Sequence, residues 1–152
     1  MAECLCCMAN TGEKPISPGG ALIDGVYWIA EHASPCSLLG WVVVRLKRHC
    51  EHLHELSQEE FRELAEFQYE SIRLQNDLLN PEKEYIVCFS ETPQFKHLHV
   101  HIIPKPKGTP PQKSGTGIFI HLKPETTEAL KPEEIVAFSD EFRRRFRKEE
   151  DK

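Results

Sequence analysis

Between residues 97 and 103 the chain reads His97-Leu98-His99-Val100-His101-Ile102-Ile103, an alternation of imidazole and aliphatic side chains closed by Pro104. A period of two belongs to a β-strand, whose successive side chains point to opposite faces. The segment therefore predicts a strand with Leu98, Val100 and Ile102 in a core and His97, His99 and His101 lining the other face. Imidazoles titrate near ~6.5 and make poor core material, so three on one face mark a chemical site. Two chemistries fit. A neutral imidazole attacks phosphorus and passes the phosphoryl group to water, and His99, between two helpers, is the best-placed nucleophile. The same nitrogens also bind metal.

Cysteine usage bears on the second chemistry. Of six cysteines, three crowd into Cys4-Leu5-Cys6-Cys7, while Cys36, Cys50 and Cys88 stand alone. With no charged-then-hydrophobic leader at Met1-Ala2-Glu3-Cys4, reduced thiols or a metal fit better than a disulfide framework, and a cytosolic compartment is expected. Cys4-x-x-Cys7 has ligand spacing; free thiols are the other reading. His49, His52 and His54 form a second histidine group, read either as a metal cluster or as a solvated loop.

A chain of 152 residues is large enough for one core, and its net charge of −5 argues against a nucleic-acid partner. The basic cluster Arg143-Arg144-Arg145 lies among Glu141, Glu149 and Glu150 and reads as a solvated helix face. No apolar run is long enough to span a membrane.

Strands are predicted over 21–24, 26–33, 41–46, 85–90 and 98–103, the first two joined by the Asp24-Gly25 turn signal. Ser57-Gln58-Glu59-Glu60 is a capping box opening a helix with an apolar stripe of Phe61, Leu64, Ala65, Phe67, Ile72, Leu74 and Leu78. Asn80-Pro81 ends it. A Pro/Gly-rich connector over 104–117, a strand over 117–122 and a helix from Pro132 to about Arg147 complete the reading. The fold class is α+β: an antiparallel sheet of about five strands with one long helix packed on it and a C-terminal strand/helix extension.

Residues 97–103 match His-φ-His-φ-His-φ-φ, with φ hydrophobic, at every position. Gly40, the 41–46 strand, Lys47-Arg48 and His49 resemble a Gly-His-x-Leu-Val-x-Pro-Lys-x-His block, followed by a capped helix and a strand. The chain thus resembles the histidine triad (HIT) superfamily of nucleotide-binding hydrolases and transferases from about Cys4 to Pro106, which implies a domain of that kind over residues 1–106. Residues 107–152 form a connector and extension expected to pack on the same domain.

The resemblance implies a structural zinc held by Cys4, Cys7, His49 and His97, and a homodimer joined sheet edge to sheet edge. It implies catalysis by His99 as nucleophile at an α-phosphate, with His101 bonding the phosphate and His97 orienting the strand. Ser90 and Gln94 align with phosphate contacts, a structural role in the loop being the other reading for each, and His32 aligns with a ribose-holding position. Substrates implied are nucleoside polyphosphates or phosphoramidates; a weakly catalytic nucleotide-binding protein with the same fold and zinc is the alternative. Trp41 stands where the family block has histidine, and Leu46 where it has proline. The loop Glu91–Lys96 is shorter than usual.

Overall fold

The computed structural model describes residues 3–125 and 127–152; Met1 and Ala2, where the expectation of no leader falls, lie outside them. Five antiparallel strands form one sheet in the order β1-β2-β3-β5-β4, with β1 Ala21–Asp24, β2 Trp28–His32, β3 Val42–Leu46, β4 Lys83–Val87 and β5 His99–Lys105. Among the described residues three α-helices accompany it: α1 Leu5–Asn10, α2 Gln58–Leu79 and α3 Pro132–Glu150. Among the described residues no helix is long and apolar enough to cross a membrane.

Helix α2 begins and ends on its local signals. Ser57 Oγ accepts from the Glu60 N–H at 3.1 Å while the Glu60 carboxylate accepts from the Ser57 N–H at 3.0 Å, a reciprocal cap. Asn80 closes the helix in the left-handed conformation, φ +48°, ahead of Pro81. The buried stripe differs from the expected one: Phe61 and Ala65 face solvent, while Ser71 and Gln75 are buried beside Leu64, Phe67 and Leu74. Gln75 earns that position with hydrogen bonds. Its Nε2 donates to the carbonyls of Gly40 and Ile102, both at 2.8 Å, sewing the helix to the sheet.

The sheet is covered on both faces. Val42, Val44, Leu46, Val100 and Ile102 pack under α2 and under Phe138 and Phe142 of α3. At about 1.5–3 kcal/mol for each buried aliphatic side chain, this layer is the main stabilising term. The opposite face carries a smaller cluster of Ala33, Cys36, Leu38, Trp41, Ile103 and Ile118. Helix α3 is pinned to the start of β1, where Arg143 Nη1 donates to the Gly19 and Ala21 carbonyls at 2.8 Å. Arg143, Arg144 and Arg145 otherwise pair with Asp140 and Glu141.

The strand expected over 117–122 is instead part of a 3₁₀ segment, Gly115–Leu122. Ile118 is buried and Phe119 and Leu122 pack against the second cluster. Contacts at 118, 119 and 122 cannot come from a strand, which would turn Phe119 away from the face that Ile118 enters.

Gly40 joins these parts. Its φ is +91°, and a Cβ there would lie 2.2 Å from Leu79 Cδ1. Gly40→Ala is expected to destabilise the fold by at least about 2 kcal/mol, from strain and overpacking together. A denaturant midpoint unchanged from the parent would contradict this.

Candidate active site and metal centre

On β5, register fixes what surrounds the histidines. His99 pairs with Arg45 and His101 with Val43 on β3, while His101 also pairs with Val87 on β4. Directly paired residues share a face, so His99, His101 and Arg45 line one side of the sheet. His97 lies just before the strand, fully buried.

Each triad ring has a defined state. His99 Nδ1 lies 2.7 Å from the His97 carbonyl. A carbonyl only accepts, so Nδ1 carries the proton and Nε2 keeps its lone pair. Burial, followed by the Arg45 charge, holds His99 below the ordinary imidazole value against the opposing His97 carbonyl bond. His101 Nδ1 accepts from the Trp41 indole N–H at 3.0 Å, and burial pushes this ring down to about 3. The rings of His99 and His101 stand edge-on, centroids 5.1 Å apart.

The loop before β5 serves the backbone of His99. Ser90 Oγ accepts from the His99 N–H at 3.1 Å and donates to the His99 carbonyl at 3.2 Å. Its hydroxyl is thus committed to the main chain, which fits the structural loop role rather than the phosphate contact. Ser90 and Gln94 both take positive φ, +52° and +70°. Gln94 is exposed, and its carbonyl accepts from the Leu5 N–H of α1 at 2.9 Å.

His32 is on the other face. It is fully buried, its Nδ1 donates to the Ala33 carbonyl and its Nε2 accepts from the Gly40 N–H, both at 2.8 Å. With neither nitrogen free and the sheet between it and His99, it is not brought to the triad. Its pairing with Val42 accounts for this, since that register puts it on the α2 side.

Cys4, Cys7, His49 and His97 converge, all ligating atoms lying within 4.8 Å of one another. The two Nδ1 atoms are 3.3 Å apart, Cys4 Sγ is 3.4 Å from His97 Nδ1, and Cys7 Sγ is 3.4 Å from His49 Nδ1 and 3.5 Å from His97 Nδ1. A zinc tetrahedron with Zn–S of about 2.3 Å and Zn–N of about 2.0–2.1 Å has edges of about 3.3 Å between nitrogens and about 3.5 Å between nitrogen and sulfur. The donor set therefore fits zinc.

The outer partners fit as well. His97 Nε2 donates to the Leu46 carbonyl at 2.7 Å, turning the Nδ1 lone pair inward, and His49 Nε2 is 3.5 Å from Glu51 Oε1. Burial and the neighbouring Cys4 push the Cys7 thiol up to about 11, a cost that a cation holding the thiolate removes. Cys6 is buried outside this group, pushed up to about 12 by burial, opposed by Arg45. His52 and His54 stack on each other in an exposed turn, away from the cluster.

No family model and no curated protein matches the sequence. Likeness is found in solved structures. A hypothetical histidine triad nucleotide-binding protein from Sulfolobus tokodaii superposes with a TM-score of 0.69 at 20% identity, over 93% of this chain and 90% of that one. A zinc-bound histidine triad family protein from Mycobacterium smegmatis gives 0.63 at 17% identity, over 91% and 94%. The diadenosine triphosphate hydrolase of Plasmodium falciparum, solved with Cyclomarin A, gives 0.61 at 14% identity, over 84% and 76%. The chain has the histidine triad fold.

Within the histidine triad fold this chain places residues that the sequence reading passed over. Arg45, 3% exposed, pairs with Glu31 at 2.5 Å and donates to Asn10 Oδ1 at 2.6 Å. Asn10 also donates to the Leu46 and Lys47 carbonyls at 2.9 and 3.0 Å. Helix α1 therefore links the cysteines to the strand beside His99. A lone arginine inside Val42-Val43-Val44-Arg45-Leu46 was the legible signal, because a charge in such a run requires a partner. Phe119, from the 3₁₀ segment, packs its ring 5.1 Å from His101 and 5.3 Å from Trp41.

Proposed function

We propose that the chain is a nucleotide-binding hydrolase or nucleotidyl transferase that acts at the α-phosphate of nucleoside polyphosphates or phosphoramidates. The carrying observation is the state of His99. Its Nδ1–H is tied to the His97 carbonyl, which leaves an unprotonated Nε2 on a half-buried ring. In this reading Nε2 attacks phosphorus, the leaving group departs, and water or another acceptor releases the nucleotide from the covalent nucleotidyl-histidine. The His101 Nε2–H bonds a phosphoryl oxygen, and Gln94 contacts substrate from the loop. Ser90 holds the His99 main chain in place.

Cys4, Cys7, His49 and His97 hold zinc, which when bound supplies a structural tie rather than a reacting centre. A homodimer pairs the sheets through the outer strand β4, where Ile86 is exposed. The names carried by proteins of like fold, nucleotide-binding for one and diadenosine triphosphate hydrolase for another, support the substrate class.

Incubation of the purified protein with adenosine and guanosine conjugates is expected to release nucleoside monophosphate. Tight nucleotide binding without release from any conjugate would contradict the enzymatic reading and favour a binding protein.

A further inference from the structure

Building on the nucleotidyl chemistry above, we propose that Trp41 locks His101 as a hydrogen-bond donor unable to deliver a proton, so that the site cleaves phosphoanhydrides in preference to phosphoramidates. An indole N–H donates and never accepts. It lies 3.0 Å from His101 Nδ1, with Trp41 fully buried and His101 8% exposed. The His101 Nδ1 must therefore present its lone pair, and the ring proton sits on Nε2. Phe119 holds the same ring edge-on at 5.1 Å and 82°, against rotation.

An imidazolium at His101 needs a second proton on Nδ1, where it would point at the Trp41 N–H. Burial opposes that charge as well, holding the ring down at about 3. A neutral His101 that surrendered its Nε2 proton would become an imidazolate unless Nδ1 were reprotonated. Imidazole or carboxylate at position 41 could relay that proton; indole cannot. Nor does His99 supply it, since its own Nδ1–H is held by the His97 carbonyl. Trp41 is thus a positioning residue acting through His101.

The leaving group feels the difference. The His99 Nε2 lone pair forms the N–P bond while the P–O bond to the bridging oxygen breaks, its electron pair leaving on a phosphate oxygen that is stable as an anion. Water then forms a P–O bond, the P–N pair returns to Nε2, and the water proton passes to solvent. A phosphoramidate instead expels an amine nitrogen, which must gain a proton as its bond breaks. His101 bonds the phosphoryl oxygen in both cases but protonates neither leaving group.

The test uses diadenosine triphosphate and an adenosine 5′-alkylphosphoramidate as a matched pair. Wild type is expected to favour the anhydride in kcat/KM by about 100-fold or more, the scale of a missing general acid. Trp41→His should narrow that ratio by about tenfold or more, because the imidazole can relay a proton. Nitrogen-15 NMR of the wild type should show His101 Nδ1 pyridine-like and Nε2 pyrrole-like, a signature that averages toward a mixture in Trp41→Phe. A phosphoramidate rate equal to the anhydride rate, or a protonated Nδ1, would overturn the proposal; both wild-type readouts stand even if the variants fail to fold. Turnover of neither substrate would overturn the nucleotidyl reading and the preference with it, and the ring-nitrogen signals would then decide separately whether Trp41 sets the tautomer.

Discussion

His99→Asn is expected to lower turnover by about 10⁴-fold or more while nucleotide binding, zinc content and fold persist. The amide nitrogen cannot form the phosphorus–nitrogen bond that divides the reaction into two steps. It can still donate to the His97 carbonyl, which now receives the His99 Nδ1–H at 2.7 Å, so the strand end keeps its hydrogen bond. His101→Ala is the milder lesion, on the order of 10²–10³-fold, the cost of removing one donor to a charged oxygen. Steady-state kinetics beside equilibrium nucleotide binding checks both. Wild-type turnover by His99→Asn on any cleaved substrate would rule out this residue as the nucleophile.

Cys4→Ala with Cys7→Ala is expected to remove one zinc per chain and to lower the thermal midpoint by about 10 °C or more. Activity should fall with it. The cluster anchors α1, and α1 holds both sides of the site: its Leu5 N–H donates to the Gln94 carbonyl of the loop, and Asn10 holds Arg45, Leu46 and Lys47. Metal analysis and calorimetry on the purified double variant provide the readings. Zinc retained at full stoichiometry would show that the ligands lie elsewhere.

What could be read from the sequence was what local chemistry dictates. Ser57 and Glu60 cap α2 whatever surrounds them, Asn80-Pro81 ends it, and alternation alone faces Val100 and Ile102 to the core. The spacing of Cys4 and Cys7 and the triad alternation were equally visible, although only a three-dimensional path brings His49 and His97 to them.

Where pairing partners decide, local sequence is silent. His32 looked like a substrate contact until its register with Val42 put it under the sheet. Ser71 and Gln75 are buried while the apolar Phe61 and Ala65 face solvent, and Gln75 meets two carbonyls no sequence pattern announces. The apolar run at 117–122 carries strand-forming residues, yet it lies across the second cluster as a 3₁₀ segment, where Ile118 and Phe119 both find contacts. Trp41 was visible as a departure from the family block, but its bond to His101 was not.

The covalent bond proposed at His99 is open to trapping. Acid-free rapid quench during turnover of a conjugate labelled at the α-phosphorus, followed by peptide mass spectrometry, should find the nucleotidyl group on His99 and none in His99→Asn. Label that never becomes protein-bound while wild type turns over, or that rests on a residue other than His99, would contradict it.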